Sequence, residues 1–199
     1  VQLGKIGIQA IVNTMGVSVS AAFAVVNRID DFAYTPEQNI AHAMTALMAQ
    51  NKGAGKIDRM KEGFRCGIIL ETIYGILIFI ICFALARPLM MMFVKDEEVI
   101  GHGVTYLHLI SVMYLLPALT NGIQGFFRGI GDLKITLISS FINMALRVLA
   151  AAPLVLIWKM GIEALPYSYL AGWIGMLVAE TPLLLKTYKT WGKKGETPC

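Results

Sequence analysis

Four long apolar runs dominate the hydrophobic pattern of this chain, at residues 66–86, 104–127, 135–158 and 162–185. Each is close to the roughly 20 residues that a helix needs to cross the hydrocarbon core of a bilayer. A fifth segment, residues 18–55, is longer and more polar. The pattern predicts an all-α fold, a polytopic bundle of transmembrane helices.

The fifth segment separates its polar and apolar side chains when it is drawn as one helix turning about 100° per residue. The polar stripe consists of Ser20, Asn27, Asp31, Tyr34, Gln38 and Thr45. Ionisable groups at membrane depth are costly and normally face a bundle interior or a water-filled cavity. We therefore predict that Asn27, Asp31, Tyr34 and Gln38 line a transport cavity and bind its substrate.

A structural role for these residues competes with that prediction. Asp31 could belong to an internal cluster of hydrogen bonds and ion pairs with Arg28 and Asp30, because buried charges are usually paired. The helical phase places Arg28 and Asp30 away from the polar stripe, which favours a structural role for those two. The pattern alone leaves both interpretations of Asp31 open.

Two of the prolines inside the predicted helices are candidate hinges. Pro36 interrupts the long polar helix, and Pro117 interrupts the run at 104–127. Proline removes one helical hydrogen bond and bends the helix at that point. Both positions are predicted hinges, and a static kink is the alternative at each.

The distribution of basic residues predicts the orientation in the membrane. One set of connections carries eleven basic residues (Lys52, Lys56, Arg59, Lys61, Arg65, Arg128, Lys134, Lys186, Lys189, Lys193 and Lys194), and the other carries three (Arg87, Lys95 and Lys159). Cytoplasmic loops are enriched in Lys and Arg. We therefore expect a multi-pass protein of the plasma (inner) membrane with a cytoplasmic C-terminus. The same asymmetry explains the pI of about 9.0, so no nucleic-acid partner is expected.

Composition supports a membrane protein and gives no sign of an enzyme. The chain is 56% hydrophobic and 15% charged, with a mean hydropathy of +0.65. Its three cysteines suggest neither a disulfide framework nor a metal site. The glycines at 53–55 lack the Gly-Lys-Ser/Thr ending of a phosphate-binding loop. We expect neither catalysis nor a cofactor.

Three sequence blocks resemble the multidrug and toxin extrusion (MATE) transporters. They are Val-Asn-Arg-Ile-Asp-Asp-Phe at 26–32, Ala-Gln-Asn-Lys-Gly-Ala-Gly at 49–55, and Gln-Gly-Phe-Phe-Arg-Gly-Ile-Gly-Asp at 124–132. The resemblance implies one lobe of a twelve-helix antiporter. Residues 1–190 would run from the end of helix seven to helix twelve, followed by a disordered cytoplasmic tail at 191–199. We also expect an N-terminal lobe to precede Val1 and to be the partner of this lobe.

The resemblance further implies exchange of small organic cations for sodium or protons. In the sodium-coupled branch of the family, a tyrosine and an aspartate of helix ten help to bind the ion. Those positions fall on Met113 and Pro117 here, and Tyr114 is adjacent but out of phase. We therefore expect the site of the coupling ion to lie outside this chain.

Other intramembrane polar residues favour packing roles. Arg147 needs a partner or water, and Glu71 and Glu180 are separated from it in depth. Asn121, Gln124 and Asn143 could line the cavity, although interhelical hydrogen bonds are the better interpretation of each.

Two other functions remain open from the sequence. A lipid-linked oligosaccharide flippase of the same superfamily would have a lateral cavity rich in arginine, whereas only Arg28 and Arg147 are intramembrane here. A membrane interaction protein without transport activity is the other alternative.

Overall fold

The computed structural model describes the backbone of residues 2–194 and the side chains of residues 7–190. That part of the chain contains no strand, which confirms the predicted all-α fold. Its helices, in chain order, are α1 (Gln2–Asn13), α2 (Val17–Gly53), α3 (Ile57–Ala84), α4 (Ala86–Met91), α5 (Glu97–Ser111), α6 (Leu115–Gly129), α7 (Leu133–Leu156) and α8 (Ala164–Lys194).

The helices account for all four predicted apolar runs. By length and composition, α3, α7 and the part of α8 up to Thr190 can each cross a membrane. Taken together, α5 and α6 pass the same test as one span that is bent by 51° at the short break between them. The predicted polytopic helical bundle is therefore confirmed. The more polar α2 has 37 residues and runs without interruption through Pro36.

Some element boundaries differ from the sequence-based ones. The connection between the polar segment and the apolar run at 66–86 is a short turn, because α2 continues to Gly53 and α3 already begins at Ile57. Gly55 makes this tight turn at a φ of 70°, a left-handed conformation that glycine adopts at little cost. At the other end of the chain, α8 continues to Lys194, four residues into the predicted tail. Residues 195–199 lie outside the described part.

The bend between α5 and α6 has a local cause. Pro117 has no backbone N–H and cannot donate a hydrogen bond to Met113, four residues earlier. The amide of Leu116 instead bonds to the Met113 carbonyl at 2.9 Å, in the tighter pattern of a 3₁₀ turn. The predicted interruption of this span therefore lies in the turn immediately before Pro117.

Close packing of α2 against α6 depends on small residues. A methyl group on Gly125 would lie 2.6 Å from the backbone oxygen of Ala41. The hydroxyl of Thr45 donates to the Gly125 carbonyl at 3.1 Å. Small residues let helix backbones approach in membranes, where interhelical packing replaces the hydrophobic effect.

Two apolar clusters fill the lobe, separated along the helix axes by a polar level. One cluster contains Ala33 of α2, Cys82 of α3 and Tyr114 of α6. The other begins further along α2, at Met44, and contains Phe64 and Ile123. On each of these three helices, the interval between the clusters carries buried polar side chains, which are Glu37, Glu71 and Thr120.

The outer surface of the bundle is apolar where lipid is expected. Exposed apolar side chains cover one face of α3, including Ile73 and Leu77, and much of α7, including Leu137 and Phe141. This surface fits a bilayer, in which exposed apolar side chains are favourable. The polar level therefore lies at membrane depth, inside the lobe.

Candidate transport site

The predicted polar stripe runs along one edge of the buried face of α2. Asn27 and Tyr34 are half-buried, whereas Asp31 and Gln38 are exposed on the surface of the lobe. Asp31 lies fourteen residues after Val17, and Gln38 lies fifteen residues before Gly53. Both exposed members are therefore close to the middle of the helix.

More polar residues extend this stripe into a surface, which we call the α2 polar face. It consists of Arg28, Asp31, Thr35, Gln38, Asn39 and His42, all of them exposed. Among the described residues, Arg28 and Asp31 make no ion pair with each other. Since a charged face at membrane depth is costly in contact with lipid, this face requires water or another protein surface.

Asp30, next to Asp31 in sequence, has a different environment. It is 4% exposed and accepts a hydrogen bond of 2.5 Å from the hydroxyl of Tyr114 on α6. The ring of Tyr34 packs edge-on against that of Tyr114, with 5.5 Å between the ring centres. Of the two adjacent aspartates, Asp30 therefore lies in the interior of the lobe and Asp31 lies on its surface.

This hydrogen bond lies beside the two positions, Met113 and Pro117, at which the sequence departs from the sodium-coupled members of the family. Pro117 is buried and Met113 is half-buried, and neither side chain offers a carboxylate or a phenol. Tyr114, out of phase with the family position, instead meets a carboxylate supplied by α2. Asp30 and Tyr114 thus bring an acid and a tyrosine together in this chain, at positions that differ from those of the family.

A polar cavity of about 160 Å³ lies between α6, α7 and α8. Its lining includes Asn121, Gln124, Asn143 and Arg147. Binding sites for drug-sized ligands measure about 300–1,000 Å³, so this cavity has room for water or an ion and is too small for a drug.

Gln124 joins three helices at the edge of this cavity. Its amide nitrogen lies 3.3 Å from a carboxylate oxygen of Glu180 on α8, and 3.4 Å from the hydroxyls of Ser139 and Ser140 on α7. The predicted interhelical role of Gln124 is therefore confirmed, and the same side chain also lines the cavity.

Arg147 has an aromatic partner. Its guanidinium carbon lies 3.4 Å from the centre of the Tyr169 ring, a cation–π geometry. Glycine at position 172 leaves room for the arginine stem, because a methyl group there would lie 2.6 Å from Arg147 Cγ. The sequence indicated that Arg147 needs a partner or water, with Glu71 and Glu180 separated from it in depth, and it did not identify Tyr169.

Sequence reasoning also missed Glu37, which is fully buried. A signal for its position was present, since Ala33, Ala41, Met44 and Met48 share its face at helical spacing and are buried as well. The two prolines predicted as hinges differ in their surroundings: Pro36 lies inside continuous α2, whereas Pro117 follows the bend of 51°.

A family model described as MatE matches residues 1–152. The chain belongs to the MatE family. Members of this multidrug and toxin extrusion family are membrane transporters rather than enzymes. The resemblance expected from the three sequence blocks is thereby confirmed, as is an integral, multi-pass membrane protein.

Curated relatives of this MatE chain are named as multidrug resistance proteins. It is 29% identical to the probable multidrug resistance protein YoeA of Bacillus subtilis, over 98% of this chain and 42% of the relative. It is 24% identical to the probable multidrug resistance protein NorM of Thermotoga maritima, over 81% of this chain and 34% of the relative. The chain thus spans about two fifths or less of the relatives it matches.

Solved MATE structures share the fold of this chain. A MATE transporter crystallised in the bent conformation superposes with a TM-score of 0.87 at 16% identity, over 95% of this chain and 42% of that protein. An inward-facing MATE transporter of the MOP superfamily gives a TM-score of 0.86 at 15% identity, over 90% and 41%. These neighbours are twelve-helix proteins with two lobes.

Proposed function

We propose that this chain forms the C-terminal lobe of a multidrug efflux transporter that exchanges small organic cations for sodium ions or protons. The observation that carries the proposal is the α2 polar face, exposed near mid-helix in a chain of the MatE family. A second lobe placed opposite this face would enclose a water-filled path between them, as in other repeat-built transporters.

Substrate contact is assigned to Asn27, Asp31, Tyr34 and Gln38. The exposed carboxylate of Asp31 would attract a cationic substrate, and the half-buried ring of Tyr34 offers an aromatic surface on which a cation is attracted. The bend before Pro117 supplies a position at which α5 and α6 would change their angle during alternating access. Pro36 is assigned the same role in α2.

The membrane orientation follows from the basic residues. The turn between α2 and α3, the turn between α6 and α7, and the end of α8 would face the cytoplasm of a cell whose plasma membrane holds the transporter. A flippase is a weaker candidate, because its cavity would be rich in arginine. Of the two arginines named for it, Arg28 is exposed on α2, but Arg147 is held by its contact with the ring of Tyr169.

Asp31→Asn, introduced into the complete reading frame that contains this chain, is expected to reduce efflux of cationic dyes about tenfold. That loss corresponds to about 1.4 kcal/mol of lost charge interaction with the substrate. Efflux is measured as the rate of dye loss from energised cells, with membrane levels of the protein matched by immunoblot.

Asp58→Asn is the matched control, since Asp58 is exposed in the first turn of α3, outside the α2 polar face. This variant is expected to leave efflux unchanged. Equal efflux by the Asp31 variant and the unmodified protein would remove Asp31 from the substrate path.

A further inference from the structure

Glu37 of α2 and Glu71 of α3 are two fully buried acids that the proposed substrate path does not use. Each residue is 0% exposed. None of the four carboxylate oxygens has a hydrogen-bond partner of good geometry among the described residues. An ionised, unpaired carboxylate is strongly unfavourable in such an environment.

The packing of α2 against α3 places the two acids opposite each other. The helices run in opposite directions, with the Tyr74 hydroxyl donating to the Ala33 carbonyl at 3.1 Å. Glu37 lies one turn after Ala33 along α2, and Glu71 lies one turn before Tyr74 along α3. Because the two helices are antiparallel, both steps lead in the same direction. Electrostatics agree with this register, because Glu71 is the principal charged neighbour of Glu37.

Helix α6 completes the environment of the pair. A methyl group on Gly122 would lie 3.6 Å from Glu71 Cγ, which places that side chain directly against α6. One residue earlier, the amide side chain of Asn121 lies beside the Glu37 carboxylate. The side chain of Asn121 also lines the 160 Å³ cavity, so the pair adjoins a space that can hold water.

Among the described residues, no cationic side chain interacts with Glu37 or Glu71, and the guanidinium of Arg147, which lines the adjoining cavity, lies over the ring of Tyr169. The other titratable groups that interact with Glu37 are Asp30 and Tyr34 on α2 and Tyr74 on α3. On α6, the facing group is the neutral amide of Asn121. Two adjacent carboxylates in a medium of low dielectric constant cannot both be ionised without a positive charge. The pair therefore needs a cation from outside.

The pair lies near the middle of the membrane. Glu71 is fourteen residues after Ile57 and thirteen residues before Ala84, which places it about 20 Å from either end of α3. In transporters built from repeated lobes, coupling ions bind near the bilayer midplane. The depth of the acid pair fits that location.

We propose that Glu37 and Glu71, together with Asn121, form a binding site for one exchangeable monovalent cation, either a proton or a sodium ion. The four carboxylate oxygens and the amide oxygen offer hard oxygen ligands to a sodium ion, and either acid can hold a proton. The proposed function assigns the site its role, as the place where the coupling ion binds. The proposed site lies inside the lobe, whereas the sequence analysis expected the coupling ion to bind outside this chain.

Infrared spectroscopy of the complete transporter, purified in a sodium-free buffer at neutral pH, tests the site without requiring transport. The unmodified protein is expected to show the carbonyl band of a buried, protonated carboxylic acid. The double variant Glu37→Gln/Glu71→Gln is expected to lose the part of that band that belongs to the pair, and the difference spectrum against the unmodified protein separates this part from that of other buried acids such as Glu180. Glu62→Gln, an exposed position on the same helix as Glu71, is expected to leave the band intact.

Sodium chloride then distinguishes the two cations. Loss of the band and release of one proton on addition of sodium chloride would assign the site to sodium. A band that is unaffected by sodium chloride and disappears only at high pH would assign it to the proton. A band that is undiminished in the double glutamine variant, or one that is missing in the unmodified protein without any response to sodium, would overturn the proposal.

A second variant and a second readout complete the test. Glu37→Asp keeps an acid and is expected to keep a carboxylic-acid band at a shifted frequency, so the test does not depend on the glutamine variants folding. In proteoliposomes, Glu37→Gln is expected to lower ion-driven dye uptake about tenfold, within the usual range of coupling between two sites. A protein that has the band but moves no dye would retain the site and reject the antiport function. Dye transport without the band would reject the site alone.

Discussion

Gly125→Ala is expected to lower the free energy of unfolding by about 2 kcal/mol, in the range typical of overpacked cores. The added methyl group would lie 2.6 Å from the carbonyl oxygen of Ala41 and 3.3 Å from its Cα atom. Because these are backbone atoms, relief requires α2 and α6 to separate. The same change in an open helix would stabilise the protein, since alanine favours helix more than glycine does.

Thermal unfolding of the purified protein, followed by size-exclusion chromatography after heating, measures this effect. Gly101→Ala is the matched control, because nothing lies within 4 Å of a methyl group built at that position of α5. We expect the control to unfold at or slightly above the midpoint of the unmodified protein. Equal midpoints for the two alanine variants would show that α2 and α6 are not packed as closely as described.

Tyr114→Phe is expected to cost about 1.5–3 kcal/mol, the usual contribution of a hydrogen bond to a charged group. The hydroxyl of Tyr114 is fully buried and donates to Asp30 at 2.5 Å across the interface between α2 and α6. Removing it leaves a buried carboxylate with one donor fewer. The ring itself, and its edge-on packing against Tyr34, is retained.

The same thermal measurement applies to this variant. Tyr167→Phe is its control, since Tyr167 is 43% exposed and loses a hydroxyl that water can reach. The control is expected to match the unmodified protein. A Tyr114 variant with an unchanged midpoint would mean that the hydrogen bond to Asp30 does not contribute to holding the two helices together.

The helices were predictable because their signals are local. Apolar runs near the length of a membrane span identify α3, α7 and α8 without information on their neighbours, and Pro117 identifies the bend in the fourth span. The start of α3 was predicted too late. Its first turns are polar, so hydropathy alone does not distinguish them from a loop.

The environments of neighbouring polar residues were less predictable. The helical phase correctly separated Asp30 from Asp31 but could not show which of them meets another helix. That depends on Tyr114, eighty-four residues away along the chain. Glu37 was missed although Ala33, Ala41, Met44 and Met48 share its face at helical spacing. That spacing indicates a buried face of α2 but not that α3 and α6 pack against it.

Arg147 illustrates a further limit. The sequence analysis considered only glutamates as charged partners and found them separated from Arg147 in depth, whereas the described structure places the guanidinium over the ring of Tyr169. An aromatic partner carries no charge and leaves no pattern that a search for opposite charges would detect. Only the packing of α7 against α8, close at Gly172, brings the two side chains together.

The claim that the α2 polar face lines an aqueous path is tested most directly by thiol labelling in native membranes. Single cysteines replace Asp31, Gln38 or Leu77 in the complete transporter, in a background whose native cysteines are changed to serine. A water-soluble, membrane-impermeant thiol reagent is then added to either side of the membrane. We predict that Asp31→Cys and Gln38→Cys react and are protected by a cationic substrate. Leu77→Cys, on the apolar surface of α3 at 52% exposure, is predicted not to react. The account would be contradicted if Asp31→Cys and Gln38→Cys were as unreactive as Leu77→Cys.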